Sequence, residues 1–156
     1  MKKKVMFISS CGGHLNELLM LKELFKEVDY HLVTEKNSST KSLKDDFDKV
    51  SYLLYSTKKH ILIYSFVLIL NSFVSLFYFL KFRPKFIVTT GTHTAGPMCC
   101  IGKLLGAKII YIETFASIHT KTVTGRLIYK FADLFVVQWQ SMLKVYPKAY
   151  YAGWIF

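Results

Sequence analysis

Residues 61–80 contain no charged side chain. Lys58, Lys59 and His60 precede this run, and Lys81, Arg83 and Lys85 follow it. About 20 apolar residues suffice for a helix to cross a bilayer, so the run forces a choice. Either the chain before it and the chain after it lie on opposite sides of a membrane, or the helix is a crossover within one sheet. The flanking pattern favours the crossover. Apolar runs at 5–8, 29–34 and 50–55 read as strands, and so do 86–88, 108–112 and 133–137. Strands on both sides belong to one sheet, which a spanning helix would divide between compartments. Basic residues at both ends also supply no asymmetry to orient a span.

On a helical wheel Tyr64, Ser65, Asn71, Ser72, Ser75 and Tyr78 share one arc of roughly 140°. The remaining surface is Ile, Leu, Val and Phe. A helix covering a sheet needs an apolar stripe of little more than about 100°, and this one has a wider one. The expectation is a crossover helix over about 60–82 that also lies partly in the membrane, its flanking cations on anionic headgroups. A helix wholly buried or covered by a partner protein is the alternative.

Strands alternate with helices along the whole chain. Helical periodicity covers 15–25, 98–105, 123–131 and a short stretch at 141–146, while 35–42 is polar and reads as a loop. Asp45, Asp46 and Asp48 make a solvated turn or short helix, because their order lacks the spacing and glycine of a calcium loop. This alternation predicts an α/β fold, a Rossmann-like parallel sheet with helices on both faces, formed by a single domain over 1–156. Such sheets bind ligands at the carboxyl ends of their strands, where strand order reverses. Three loops of that type carry His14, His93 and Glu113.

The first, Ser9-Ser10-Cys11-Gly12-Gly13-His14-Leu15, turns from a strand into a helix. Its glycines permit a sharp bend and close approach to a ligand, and a helix amino terminus offers N–H groups to an anion. The ring of His14 would then meet whatever the loop holds. There is no GxGxxG and no Lys-Ser/Thr after the glycines, so a dinucleotide site and a P-loop are unsupported. The second loop, Thr89-Thr90-Gly91-Thr92-His93-Thr94-Ala95-Gly96-Pro97, has glycines for a tight path, and His93 within it is read as a substrate contact or a bystander rather than a catalyst. Glu113 directly follows Ile109-Ile110-Tyr111-Ile112. Partial burial there would raise its carboxyl pKa and suit it to general-base work; an ion pair or helix cap is the alternative. Asp133 is read as a cap or ion-pair partner.

Net charge is +11, and it is uneven. Residues 1–60 hold 11 Lys/Arg against 8 Asp/Glu, whereas 61–156 hold 10 against 2, Glu113 and Asp133. With 52% hydrophobic and 16% aromatic residues the chain is not disordered. A basic, apolar chain suits an anionic membrane surface or a phosphorylated substrate. Its cations form no stripe or module that would bind nucleic acid. Three cysteines make neither a disulfide framework nor a zinc site. The basic start, Met1-Lys2-Lys3-Lys4, is followed by too few apolar residues for a signal peptide and is read as the entry to the first strand.

Taken together, Ser10-x-Gly12-Gly13-His14-Leu15, Gly91-x-x-x-x-Gly96-Pro97, Glu113-Thr114-Phe115-Ala116 and Gly153-Trp154 resemble a known family. It is the membrane-associated, acceptor-binding subunit of two-component glycosyltransferases. The eukaryotic member recruits a catalytic partner for N-acetylglucosamine transfer to a dolichol-linked sugar; bacterial members serve capsule or exopolysaccharide synthesis, and the short chain looks bacterial. The first two loops are also similar to those of the peptidoglycan enzyme that glycosylates a lipid-pyrophosphate acceptor. The resemblance implies the amino-terminal half of a GT-B glycosyltransferase, with a separate donor-binding partner carrying the UDP-sugar. It implies a polyprenyl-pyrophosphate-linked sugar as acceptor and a place on the cytoplasmic face of the cell membrane. His14 or Glu113 would be the catalytic base, His14 preferred, with Ser10, Gly12, Gly13, Gly91, His93, Gly96 and Thr114 contacting acceptor. No cofactor and no metal is expected. Two rival readings are a non-catalytic membrane scaffold that activates a partner, and an independent soluble enzyme.

Overall fold

The computed structural model describes residues 2–57 and 59–156; Met1 and Lys58, which belong to the basic entry and to the cluster before the apolar run, lie outside the described residues. Seven strands form one parallel sheet in the order β3-β2-β1-β4-β5-β6-β7. They are β1 (Lys4–Ser9), β2 (Asp29–Lys36), β3 (Val50–Leu54), β4 (Phe86–Gly91), β5 (Lys108–Ile112), β6 (Leu134–Val137) and β7 (Tyr150–Tyr151). The helices are α1 (Gly13–Leu19), α2 (Lys22–Phe25), α3 (Leu43–Asp46), α4 (Ile61–Phe82), α5 (Ala95–Leu104) and α6 (Val123–Ile128), with a 3-10 turn over Gln140–Lys144. Strand order reverses between β1 and β4, so the crevice of a doubly wound sheet opens there.

The sheet is apolar on both faces because helices cover both. In β1 the pleat sends Met6 and Ile8 to one side, where they join Ile87, Met98, Cys99, Ile109, Ile128 and Tyr146. Val5 and Phe7 go to the other, with Leu15, Leu18, Phe25, Leu32 and Val88. The first side is the layer of α4, α5 and α6; the second is that of α1 to α3.

The structure departs from the sequence expectation at several boundaries. The periodic stretch 15–25 is two helices, α1 and α2, because Met20 N–H closes the first by bonding both Asn16 and Glu17 carbonyls. In place of an α-helix over 141–146 there is a 3-10 turn over Gln140–Lys144, and a short β7 follows that periodicity could not reveal in two residues. Glu35 and Lys36 do not belong to a loop: they extend β2, paired with Leu53 and Leu54 of β3. Thr89 and Thr90 likewise complete β4, and α5 starts at Ala95, ahead of Pro97.

The apolar run forms α4, a crossover from the carboxyl end of β3 to the amino end of β4, so strands on both sides do share one sheet. Its orientation is inverted relative to an ordinary surface helix. The polar arc faces the protein: Asn71 and Ser75 are buried, and Tyr78 donates to the Tyr52 carbonyl. Asn71 accepts from Leu54 N–H and donates to Leu54 C=O, both at 2.9 Å, pairing the exposed edge of β3 as a strand would. Ser65 alone of the arc is exposed, bonding Ile61 C=O on its own helix. The apolar arc faces outward, with Phe66 63% and Phe73 67% exposed.

Candidate functional site

The crevice at the switch point is lined by the loops after β1 and β4. Gly12 carries φ +86° and Gly91 φ +100°, backbone conformations that glycine enters without strain. A Cβ on Gly12 or Gly13 would meet nothing within 4 Å, so the turn leaves open space above α1. The two loops are joined by a hydrogen bond shared between Ser10 Oγ and Thr92 Oγ1 at 2.7 Å, and by Ser10 N–H on Gly91 C=O.

Register between β1 and β4 shifts at this point: Ile8 opposes Thr89, but Ser9 opposes Gly91. Thr90 is the extra residue of a bulge, a device that re-aims groups beside a site. Its carbonyl accepts from His14 Nδ1 at 2.9 Å, and its hydroxyl donates to the His14 carbonyl. A carbonyl only accepts, so Nδ1 carries the proton and Nε2 of the neutral ring keeps its lone pair. Nε2 has no protein partner among the described residues. His14 is therefore oriented as an acceptor for a proton, and it stands beside Gly91, near the Tyr111 hydroxyl.

Glu113 follows β5 as expected, yet its carboxylate is 1% exposed and points away from open solvent. Oε2 accepts from Tyr146 at 3.0 Å; Oε1 accepts from Thr114 N–H at 3.1 Å and from Tyr111; Thr122 Oγ1 lies 3.1 Å from both oxygens. A Cβ on Gly125 would fall 2.4 Å from Oε2, so α6 can approach this carboxylate only with glycine there. Burial pushes the Glu113 carboxyl above its ordinary range, against the opposing bonds of Tyr146, Thr114 and Thr122. The hydroxyl of Thr114 donates to Glu17 of α1 at 2.6 Å, and Phe115 N–H joins it at 3.1 Å. Glu113 and Thr114 thus tie the loop after β5 to its neighbours, and no hydrogen bond links Glu113 to His14 among the described residues.

The sequence reading passed over Glu35. It lies one residue before the end of β2 beside the crevice, 1% exposed. Its carboxylate accepts from Cys11 N–H and Sγ at 3.2 Å and from the Thr94 hydroxyl. His93 Nε2 is 3.3 Å away, an ion-pair distance without hydrogen-bond alignment. Burial alone raises a carboxyl, but the groups of His93, Thr94 and Cys11 outweigh it and hold Glu35 below its ordinary value. Burial, with the Glu35 carboxylate beside it, pushes the Cys11 thiol up to about 11. One side chain thereby fixes the loops after β1 and β4 together. The signal existed: a carboxylate at the carboxyl end of an apolar strand is what singled out Glu113. Asp133 pairs as expected, with Lys103 at 2.8 Å and Lys108 at 2.9 Å.

The crevice continues into the α4–α6 layer. The ring of Tyr64 stands 5.2 Å from that of His93. Beyond it a cavity of about 620 Å³ runs past Leu68, Ser72, Gly96, Cys100 and Leu127. At the same edge of the sheet Phe115, Trp139 and Trp154 form an aromatic cluster, with Trp139 Nε1 donating to Phe115 C=O at 2.7 Å. Among the described residues no group of three His, Cys, Asp or Glu side chains is arranged to hold a metal.

Comparison with known proteins gives a consistent result. The family described as "Oligosaccharide biosynthesis protein Alg14 like" matches residues 5–155. UDP-N-acetylglucosamine transferase subunit ALG14 of Yarrowia lipolytica is 28% identical, over 96% of this chain and 80% of its own. The subunit of the same name from Rattus norvegicus is 30% identical, over 47% of this chain and 37% of its own. Among solved structures, MurG of Acinetobacter baumannii superposes with a TM-score of 0.73 at 17% identity, over 89% of this chain and 42% of that one. UDP-N-acetylglucosamine 2-epimerase of Rickettsia bellii gives 0.75 at 14% identity, over 99% and 46%. At such identities the structures share the fold. This chain spans less than half the length of the rat relative and of both solved structures.

Proposed function

The chain belongs to the Alg14-like family of oligosaccharide biosynthesis proteins, and on that premise we propose that it is the acceptor-binding, membrane-docking subunit of a UDP-sugar-dependent glycosyltransferase. The donor-binding half is a second polypeptide, and the acceptor is a polyprenyl-pyrophosphate-linked sugar at the cytoplasmic face of the membrane. The observation that carries this reading is the contact between Tyr64 and His93. It joins the crevice directly to a helix whose apolar face is turned outward, so a sugar presented from a bilayer would arrive at the loops able to hold it.

In this reading Ser10, Gly12, Gly13, Gly91, His93 and Gly96 surround the acceptor, with backbone N–H groups on its anionic oxygens. His14 Nε2 takes the proton of the acceptor hydroxyl as that oxygen bonds to the anomeric carbon and the donor's diphosphate departs with the bonding pair. Thr90 C=O holds the opposite nitrogen and stabilises the imidazolium formed. Thr114 and Glu113 support the loop, and Glu113 is the alternative base. Capsule or exopolysaccharide synthesis as the setting rests on the sequence resemblance, since the curated relatives named above are animal and fungal.

A non-catalytic scaffold that anchors and activates a partner is favoured by one specific observation: the Glu113 carboxylate is consumed by internal hydrogen bonds. Co-expression with the partner and an assay of sugar transfer to a lipid-linked acceptor separates the two. A catalytic subunit predicts that His14→Ala lowers transfer by about 10²–10⁴-fold with complex formation intact. Full activity in a His14→Ala, Glu113→Ala double variant sinks the catalytic assignment and leaves the scaffold.

A further inference from the structure

The amino-terminal edge of the sheet, opposite the crevice, carries a second feature. A cleft of about 600 Å³ opens there between the end of α4 and the end of α5. Its walls are apolar, formed by Phe79, Leu80, Phe86 and Leu105, and Arg83, Lys85 and Lys108 stand around it. The charge is one-sided. Asp133, beside the cleft, is engaged by Lys103, Lys108 and Ile109 N–H, and Asp29, at the start of β2 on the same edge, pairs with Lys49. Arg83 and Lys85 have no carboxylate partner among the described residues. Lys4 adds a further cation, lying over the Phe82 ring and bonding its carbonyl.

Arg83 caps α4 with φ 53°, the left-handed position where glycine is the low-strain choice. A cation kept there against backbone strain invites a functional reason. The apolar surface extends out of the cleft through Phe77, Leu80 and Leu104, the last 86% exposed. It is continuous with the outward face of α4. A small free anion would satisfy the cations and leave the leucines in water; an apolar peptide would do the reverse. An amphiphile with an anionic head satisfies both.

We infer that this cleft binds the headgroup of an anionic phospholipid, with the acyl chains lying along Leu80, Leu104 and the outer face of α4. The site is distinct from the acceptor crevice and holds the α4–α6 layer against the bilayer at its far end. The inference rests on the membrane-docking part of the function proposed above.

The test is flotation of the full chain with vesicles of equal parts phosphatidylglycerol and phosphatidylcholine, and with phosphatidylcholine alone. Arg83→Gln with Lys85→Gln is compared with Lys41→Gln and Lys44→Gln, which removes the same charge from the α3 side. The cleft variant is expected to bind mixed vesicles on the order of tenfold more weakly than the native chain. The control pair should change binding less than twofold, and millimolar inorganic phosphate should not release the protein. Equal losses in the two variants overturn the site in favour of general charge attraction. Release by phosphate overturns it in favour of a free-anion site. If the native chain floats with neither vesicle, the docking reading itself falls. Transfer to acceptor in detergent micelles should be unaltered in the cleft variant, because Arg83 and Lys85 lie at the other end of the sheet from His14.

Discussion

His14, Glu35 and Glu113 sit within one crevice region yet experience different surroundings. His14 is half-buried, with one nitrogen committed and the other available. Glu113 accepts from two tyrosines, a threonine and a backbone N–H, all donors, so an amide in its place must turn an NH₂ toward them. Glu113→Gln is expected to cost about 1–3 kcal/mol of stability, measurable as a lowered urea midpoint. Glu35 predicts a pH dependence. Its pKa is depressed in the folded state, so it contributes stability above its unfolded value near 4.5, and that contribution is lost as pH falls through the folded value. Between pH 7 and pH 4 the native chain should therefore lose more stability than Glu35→Gln; equal losses would show that the carboxylate's contacts are not stabilising. Glu113, shifted the other way, is present in both chains and cancels in the difference.

At the scale of elements, α4 is the unusual one. A crossover helix normally turns its apolar stripe to the sheet, whereas this helix is docked by Asn71, Ser75, Tyr78 and Phe79. Asn71 makes the orientation specific because its amide supplies both bonds that an edge residue of β3 requires. Replacing it with leucine leaves Leu54 N–H and C=O without protein partners and should lower stability by about 1–3 kcal/mol. The outer face predicts the opposite pattern. Phe66→Ser with Phe73→Ser should leave the thermal midpoint of the detergent-solubilised chain within a few degrees, since neither ring is in the core. The same change should weaken vesicle binding, because burying each ring contributes about 1.5–3 kcal/mol. A large fall in the midpoint would mean that the face is covered within the fold.

For the whole molecule, a wide apolar face and a crevice occupy adjoining parts of one sheet. The face belongs to the α4–α6 layer, whose helices carry no carboxylate, while α1 to α3 on the other side carry Glu17, Glu23, Asp45 and Asp46. The molecule is thus polar in two senses, apolar and cationic on one side and mixed in charge on the other, an asymmetry that would orient it on an anionic bilayer. A single sheet with the crevice at its rim leaves His14 accessible from outside, where a donor-bearing partner would approach. Transfer should accordingly require both polypeptides, and each alone should give a rate near background in the same acceptor assay.

Much of this was determined by the sequence alone. Alternating apolar runs dictated a parallel sheet, because strands buried on both faces and separated by helices have few other solutions. The glycine turns and the carboxylate after β5 marked the right rim of that sheet. The 140° polar arc on residues 61–80 was legible too, but which way it faces was not, since a wheel has no inside until a sheet edge offers it partners. Tertiary structure decided that Asn71 pairs Leu54 and sends Phe66 and Phe73 outward. It also decided the roles of the two carboxylates. Glu35 looked like a loop residue because it follows Thr34 and precedes Lys36 and Asn37; pairing with β3 and donors from two distant positions, Cys11 and Thr94, put it inside. Burial of a charge depends on partners far away in the chain, and no local pattern can supply them.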